Sequence, residues 1–112
     1  MLQQVYGALV DRKATDVLAL DMRKVTIVAD YFVLATGNSR LHVQSLADAV
    51  AERLKAAGRP TLRREGYGEA RWICIDYGDV VVHLFQAEVR RYFDLERLWS
   101  DAPRMDLSSS PP

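Results

Sequence analysis

Cys74 is the single cysteine among 112 residues, so no disulfide can form within the chain and a reducing compartment is expected. The same scarcity argues against structural zinc. Such a site needs four ligands, and Cys74, His42 and His83 offer neither C-x-x-C nor H-x-x-x-H spacing. No apolar run approaches the roughly 18–20 residues that span a membrane. Met1-Leu2-Gln3-Gln4 lacks the basic start and apolar stretch of a signal peptide, and Asp11 and Asp16 argue against a transit peptide. The expectation is a soluble, cytoplasmic protein. Net charge is also missing: 15 basic side chains balance 15 acidic ones, so wholesale attraction to nucleic acid is not expected.

What is present fits one domain with no room for a second core. A chain this size buries roughly 60–70% of its unfolded surface, enough for stability without disulfides or metal. The balanced charge is unevenly spread. Residues 1–64 carry ten basic and six acidic side chains. Residues 65–88 carry Glu65, Glu69, Asp76, Asp79 and Glu88 against Arg71 alone. The acids read either as a solvated rim or as the surface that meets a basic partner.

Leu2, Val5, Tyr6 and Leu9 recur at helical spacing and predict an opening helix over 2–12. Residues 16–22 read as a strand, with Leu18, Leu20 and Met22 facing the core and Val17, Ala19 and Asp21 facing away. Residues 25–29 read as a short extended piece. Tyr31 to Ala35 is almost continuously apolar, which suits a central strand covered on much of both faces. Asn38 or Ser39 then caps a helix running to about Ala57, whose buried stripe is Val43, Leu46, Ala47, Val50, Leu54 and Ala57. Gly58 and Pro60 end it.

Residues 61–65 predict a short edge strand, followed by a hairpin over 70–77 and 80–86 with Gly78-Asp79 as its two-residue loop. That loop sets the register. Ile75 pairs with Val82 and Ile73 with Leu84 on a pure core face; Asp76 pairs with Val81, Cys74 with His83 and Trp72 with Phe85 on the other. The second face mixes aromatics, a thiol, an imidazole and a carboxylate, an unusual set for a buried sheet. From Glu88 the pattern is helical, with Asp94 capping a last helix that holds Leu95, Leu98 and Trp99; Trp99 and Tyr92 are expected to pack that helix. Pro103 ends it. The domain is taken as 1–102 and the tail 103–112 as disordered. The fold class is α/β: a single-domain mixed sheet with helices mainly on one face, leaving the other face for a partner.

Catalytic readings are thin. Cys74 beside His83 imitates a nucleophile–base pair, yet no third orienting group or oxyanion site accompanies it. Gly37-Asn38-Ser39 before a helix imitates a phosphate-binding turn, and the strand–Gly–Ser–helix opening is similar to that of nucleotidyltransferases. Those enzymes add paired strand carboxylates for magnesium, and no D-x-D occurs here. Asp76 and Asp79 flank a turn, where acids are commonplace.

Several blocks in order carry a more specific signal. Asp11-Arg12-Lys13-Ala14-Thr15-Asp16-Val17 with Asp21, Ala29-Asp30-Tyr31-Phe32-Val33, Ala35-Thr36-Gly37-Asn38-Ser39, His42-Val43-Gln44 and Glu65-Gly66-Tyr67 resemble the Iojap-like ribosomal silencing factors. So do Trp72, the run from Ile75 to Phe85, and the run from Arg91 to Ala102. The resemblance covers roughly residues 5–102. It departs at Phe93, where many relatives have a second Tyr, and at Cys74, often aliphatic in the family. It implies a nucleotidyltransferase-like fold without the catalytic acids, no enzymatic activity and no cofactor. It further implies binding to the large ribosomal subunit through ribosomal protein fourteen, steric block of subunit joining, repression of translation when nutrients are scarce, and a homodimer when free. A neutral chain of this kind is expected to dock on a basic ribosomal protein, with little direct contact to nucleic acid. Assembly of the large subunit is the alternative role, and nucleotidyl transfer the more distant one. Trp72 and Phe85 are the expected apolar anchors, Asp76 and Asp79 the partners of basic side chains, and Tyr77 and His83 the hydrogen-bonding groups. Arg91 and Glu96 sit at positions similar to family signatures and read as an ion pair tying down the last helix.

Overall fold

The computed structural model describes residues 1–107. The chain runs α1 (Leu2–Asp11), β1 (Thr15–Asp21), β2 (Tyr31–Gly37), α2 (Arg40–Ala56), β3 (Arg63–Glu65), β4 (Trp72–Asp76), β5 (Val80–Gln86), α3 (Ala87–Phe93), α4 (Leu95–Leu98) and β6 (Arg104–Met105). One six-stranded sheet has the order β3-β4-β5-β2-β1-β6. Only β2 and β5 pair in parallel; all other neighbours are antiparallel. Parallel neighbours need a long crossover, and α2 begins the one that joins them.

Alternation along the strands sorts side chains onto two faces. Val33, Ala35, Ile73, Ile75, Val82 and Leu84 lie under α1 and α2 and form the larger core. Phe32, Leu34, Val81, Phe85, Leu20 and Met22 form a smaller core on the other face, closed by Leu95 and Ala102 from the C-terminal segment. The second face is therefore not left bare. It also alters the reading of β1: Leu18, Leu20 and Met22 face this smaller core, while Ala19, expected to point away from the core, is 1% exposed beneath the helices. β1 is an inner strand with packing on both sides.

The hairpin register is as the two-residue loop dictates, from Trp72↔Phe85 to Asp76↔Val81. Gly78 has φ +89°, a positive φ that the first residue of a two-residue hairpin loop needs and glycine supplies without strain. Ser39 caps α2, its Oγ accepting from the His42 N–H at 3.0 Å, a contact typically contributing about 1 kcal/mol. The buried stripe of α2 is as expected except at Ala57, which lies past the last helical residue and is exposed. Residues 25–29 form a turn and bends instead of an extended piece, and they push Ile27 and Val28 into solvent at 104% and 71% exposure.

Three expectations for the C-terminus change. Asp94 adopts φ +47° and splits the helical stretch into α3 and α4, with no side-chain capping bond. The ion pair with Glu96 is made by Arg90, not by Arg91, at 2.7 Å. The domain does not end at residue 102. Arg104 and Met105 pair with β1, the Asp21 N–H donates to the Pro103 carbonyl at 2.9 Å, and Leu107 is buried. Proline suits the entrance to an edge strand because it has no N–H to satisfy there. The rest of the expected disordered tail, 108–112, lies outside the described residues.

Two glycines have φ +83° but different surroundings, which gives a paired prediction. At Gly58 an added Cβ meets nothing, whereas at Gly66 it overlaps the Trp72 carbonyl oxygen. Gly58→Ala should cost about 1 kcal/mol from the left-handed backbone alone. Gly66→Ala should cost about 3 kcal/mol, because strain and backbone overlap combine there. Urea unfolding of both variants checks the difference.

Candidate functional site

The hairpin places Trp72, Cys74 and Asp76 from β4 beside His83 and Phe85 from β5 on the second sheet face. Phe32 from β2 and Trp99, just past α4, complete the cluster. Phe32 packs edge-on against both His83 and Trp99, with ring centroids 4.8 and 4.7 Å apart. Trp72 lies 5.1 Å from both Phe85 and Phe93. Aromatic contacts of this geometry each contribute about 0.5–1.5 kcal/mol beyond burial.

The six residues expected to meet a partner do not stand alike. Trp72 is half-buried and keeps an accessible edge. Phe85 is 0% exposed, so it supports Trp72 from beneath and has no surface to present. Tyr77 points to the opposite face, where it is buried in the larger core with its hydroxyl 3.2 Å from Thr61 Oγ1. Asp76 is half-buried and its Oδ1 accepts from the Gly78 N–H at 2.7 Å, which stiffens the turn. Asp79, at the hairpin tip, already pairs with Arg59 at 2.6 Å. His83 is 6% exposed and lies at the centre of the cluster.

His83 has an unusual hydrogen-bonding state. The Trp72 Nε1–H donates to its Nδ1 at 3.1 Å, so the neutral ring carries its proton on Nε2. That nitrogen is buried with no partner among the described residues. A lone buried donor of this kind costs about 1–3 kcal/mol. Burial pushes the imidazole down from 6.5 to about 4. The sign follows: between those values the unfolded chain binds a proton that the folded chain refuses, so stability is lost as pH falls through this window. From pH 7 to 5 the loss should be roughly 2 kcal/mol. Denaturant titrations of the wild type and His83→Phe check it, since the variant should lack this share of the slope.

The enzyme-like features are occupied by structural contacts. Cys74 and His83 are cross-strand neighbours as expected, but His83 Nδ1 is engaged by Trp72. Burial, followed by the carboxylates of Glu65 and Asp76, pushes the Cys74 thiol up. This favours the thiol over the nucleophilic thiolate. At the phosphate-like turn, the Asn38 N–H donates to His42 Nδ1 at 2.8 Å, and Ser39 takes the His42 N–H. The helix start is filled by the chain's own side chains. Among the described residues, no group of three or more His, Cys, Asp or Glu is placed to hold a metal ion.

The same face has surface features that the sequence reading missed. A groove of about 440 Å³ runs between Val28, Phe32, Cys74, Val81, His83 and Trp99. A second, of about 420 Å³, is lined by Trp72, Val89, Tyr92 and Phe93 with Arg71 and Glu88 at its rim. Tyr92, expected to pack the last helix, is instead 83% exposed, and Phe93 is 49% exposed. Exposed apolar side chains gathered around grooves are the kind of surface that interaction sites use. The signal available beforehand was the apolar run in 25–28 and the Tyr92-Phe93 pair. Their exposure depends on a loop and a helix break that local periodicity does not fix.

Fold and site together define a small mixed-sheet protein with an aromatic cluster and two apolar-lined grooves on one sheet face. A family model described as ribosomal silencing factor during starvation matches residues 1–112. The ribosomal silencing factor of Bacillus subtilis is 46% identical over 97 residues, covering 87% of this chain and 82% of the relative. A Bacillus halodurans crystal structure superposes with a TM-score of 0.83 at 40% identity, covering 94% of this chain and 95% of that one. A mouse protein named mitochondrial assembly of ribosomal large subunit protein 1 is 28% identical; the match spans 88% of this chain but 45% of that longer protein. The chain belongs to the ribosomal silencing factor family.

Proposed function

We propose that this protein binds the large ribosomal subunit through ribosomal protein fourteen and sterically blocks joining of the small subunit, repressing translation under nutrient limitation. It acts by occupancy, without catalysis, in the cytoplasm, and self-associates as a homodimer when free. The observation that carries the reading is the aromatic face: Trp72 on β4 with Tyr92 and Phe93 at the end of α3 presents accessible apolar surface. Buried aromatic anchors of this type dominate binding energy in protein interfaces. Asp76 at the rim of the neighbouring groove supplies an acidic group for a basic partner.

The test is co-sedimentation of the full chain with isolated large subunits, with small subunits as control. Selective binding to large subunits supports the proposal; no binding at any salt concentration sinks it. A second reading, assistance to large-subunit assembly, draws on the name of the mouse relative. Precursor large-subunit particles that accumulate without the protein, alongside unaltered subunit joining, would favour it.

A further inference from the structure

The His83 groove has a chemistry more specific than an apolar surface. Its walls are Phe32, Val81, Trp99, Val28 and Cys74. His83 also lines it, and the proton-bearing Nε2 of that ring lies buried with no partner among the described residues. The charged groups of its rim are Arg63, Glu65 and Asp76, and Arg63 is already paired with Glu65 at 2.5 Å.

We infer that this groove receives an apolar side chain from the protein partner, together with a neutral oxygen, a main-chain carbonyl or carboxamide, that accepts the His83 Nε2–H. The inference rests on the docking reading above and names what one part of that face recognises.

Each alternative occupant meets a physical objection. An ammonium or guanidinium brings only donors, and His83 already presents a donor. A carboxylate would have to shed its water beside an imidazole whose burial disfavours the protonated state. A wholly apolar group would leave Nε2 as it is, unpaired and at continuing cost. A neutral oxygen alone removes that cost without importing a charge. The groove's volume lies in the range that accommodates a side chain with its adjoining peptide. Nε2 is screened from solvent in the free protein, so one wall must yield. Trp99 is half-buried beyond a helix of only four residues, and its ring centroid is 6.1 Å from that of His83. It is the wall that tilts.

Two variants of the full chain test the idea against isolated large subunits, with thermal stability measured in parallel. Val28→Trp adds bulk at the groove mouth from an exposed position. His83→Phe keeps a flat ring and deletes the donor. Val28→Trp should lower affinity at least about tenfold and His83→Phe about fivefold to tenfold, the size of one hydrogen bond. Val28→Trp should keep the wild-type Tm, and His83→Phe should keep or raise it near neutral pH. Loss with Val28→Trp alone overturns the hydrogen bond to a neutral oxygen. Should His83→Phe fail to fold, His83→Met also removes the donor, leaves a weak sulfur acceptor for Trp72 and carries the same test. Unchanged affinity in both variants, with Trp72→Ala still impaired, overturns the groove assignment and leaves the docking reading standing. Loss of self-association with unchanged subunit binding assigns the groove to a second copy and also overturns it. A wild-type chain that fails to bind large subunits removes both readings together.

Discussion

Trp72→Ala is expected to weaken binding to large ribosomal subunits by about 2–4 kcal/mol, roughly 30- to 1000-fold in Kd. Three contacts make this residue decisive. Its ring rests on Phe85, which is fully buried and cannot move aside. It touches Phe93, so it links the hairpin to α3. Its Nε1–H fixes the tautomer of His83. Truncation removes the anchor and leaves its aromatic neighbours without support. Trp72→Phe should retain much of the area but lose the bond to His83, giving an intermediate affinity. Equilibrium binding to purified subunits, with circular dichroism to confirm folding, checks both. An alanine variant that folds and binds as the wild type does would remove Trp72 from the interface.

The second large effect falls on stability. Arg90 is 8% exposed. Its Nε donates to Glu96 at 2.7 Å, and one terminal nitrogen donates to the Asp16 carbonyl at 2.6 Å and to Thr36 Oγ1 at 2.8 Å. One guanidinium thus joins the α3–α4 elbow to the irregular start of β1 and the end of β2. Asp16 itself has φ +50°, at the place where the β1–β2 register shifts. Arg90→Ala should cost about 3–5 kcal/mol, because it strands a carboxylate that is mostly buried and two oxygens together. Arg90→Lys should recover part of this, since an ammonium cannot reproduce the planar fork. Denaturant unfolding measures both. A loss under about 1 kcal/mol for alanine would mean that the pair is screened by water. Because the elbow carries Phe93 and leads to Trp99, the alanine variant should also bind large subunits more weakly at temperatures where it remains folded.

The parts of this molecule that were legible in sequence are those set by local rules. A two-residue Gly-Asp loop admits one register, so every hairpin pair from Trp72↔Phe85 to Asp76↔Val81 followed from it. Ser39, the apolar stripe and Gly58 likewise bounded α2 to within a residue or two. The parallel pairing of β2 with β5 was not legible, because α2, β3 and β4 lie between them in the chain. Without it, Phe32 could not be placed beside Val81 and His83. The C-terminal segment failed for a different reason. A single left-handed residue, Asp94, breaks the helical phase, so Glu96 beyond the break meets Arg90 and not Arg91.

The candidate site was correspondingly half legible. The mixture of Trp72, Cys74, Asp76, His83 and Phe85 marks its face in the sequence, but nothing local shows that the C-terminal segment covers part of it. Leu95, Trp99 and Ala102 close part of it, and the accessible surface shifts to Trp72, Tyr92, Phe93 and the groove mouth at Val28. Tyr77 was misassigned because it follows the last paired residue of β4 and continues the alternation to the helix side.

Light scattering of purified small and large subunits mixed in the presence of increasing protein tests the central claim most directly. The joined particle should fall in proportion to occupancy of the large subunit, and Trp72→Ala should restore joining at equal concentration. Joining that proceeds unchanged on large subunits saturated with the protein would contradict it.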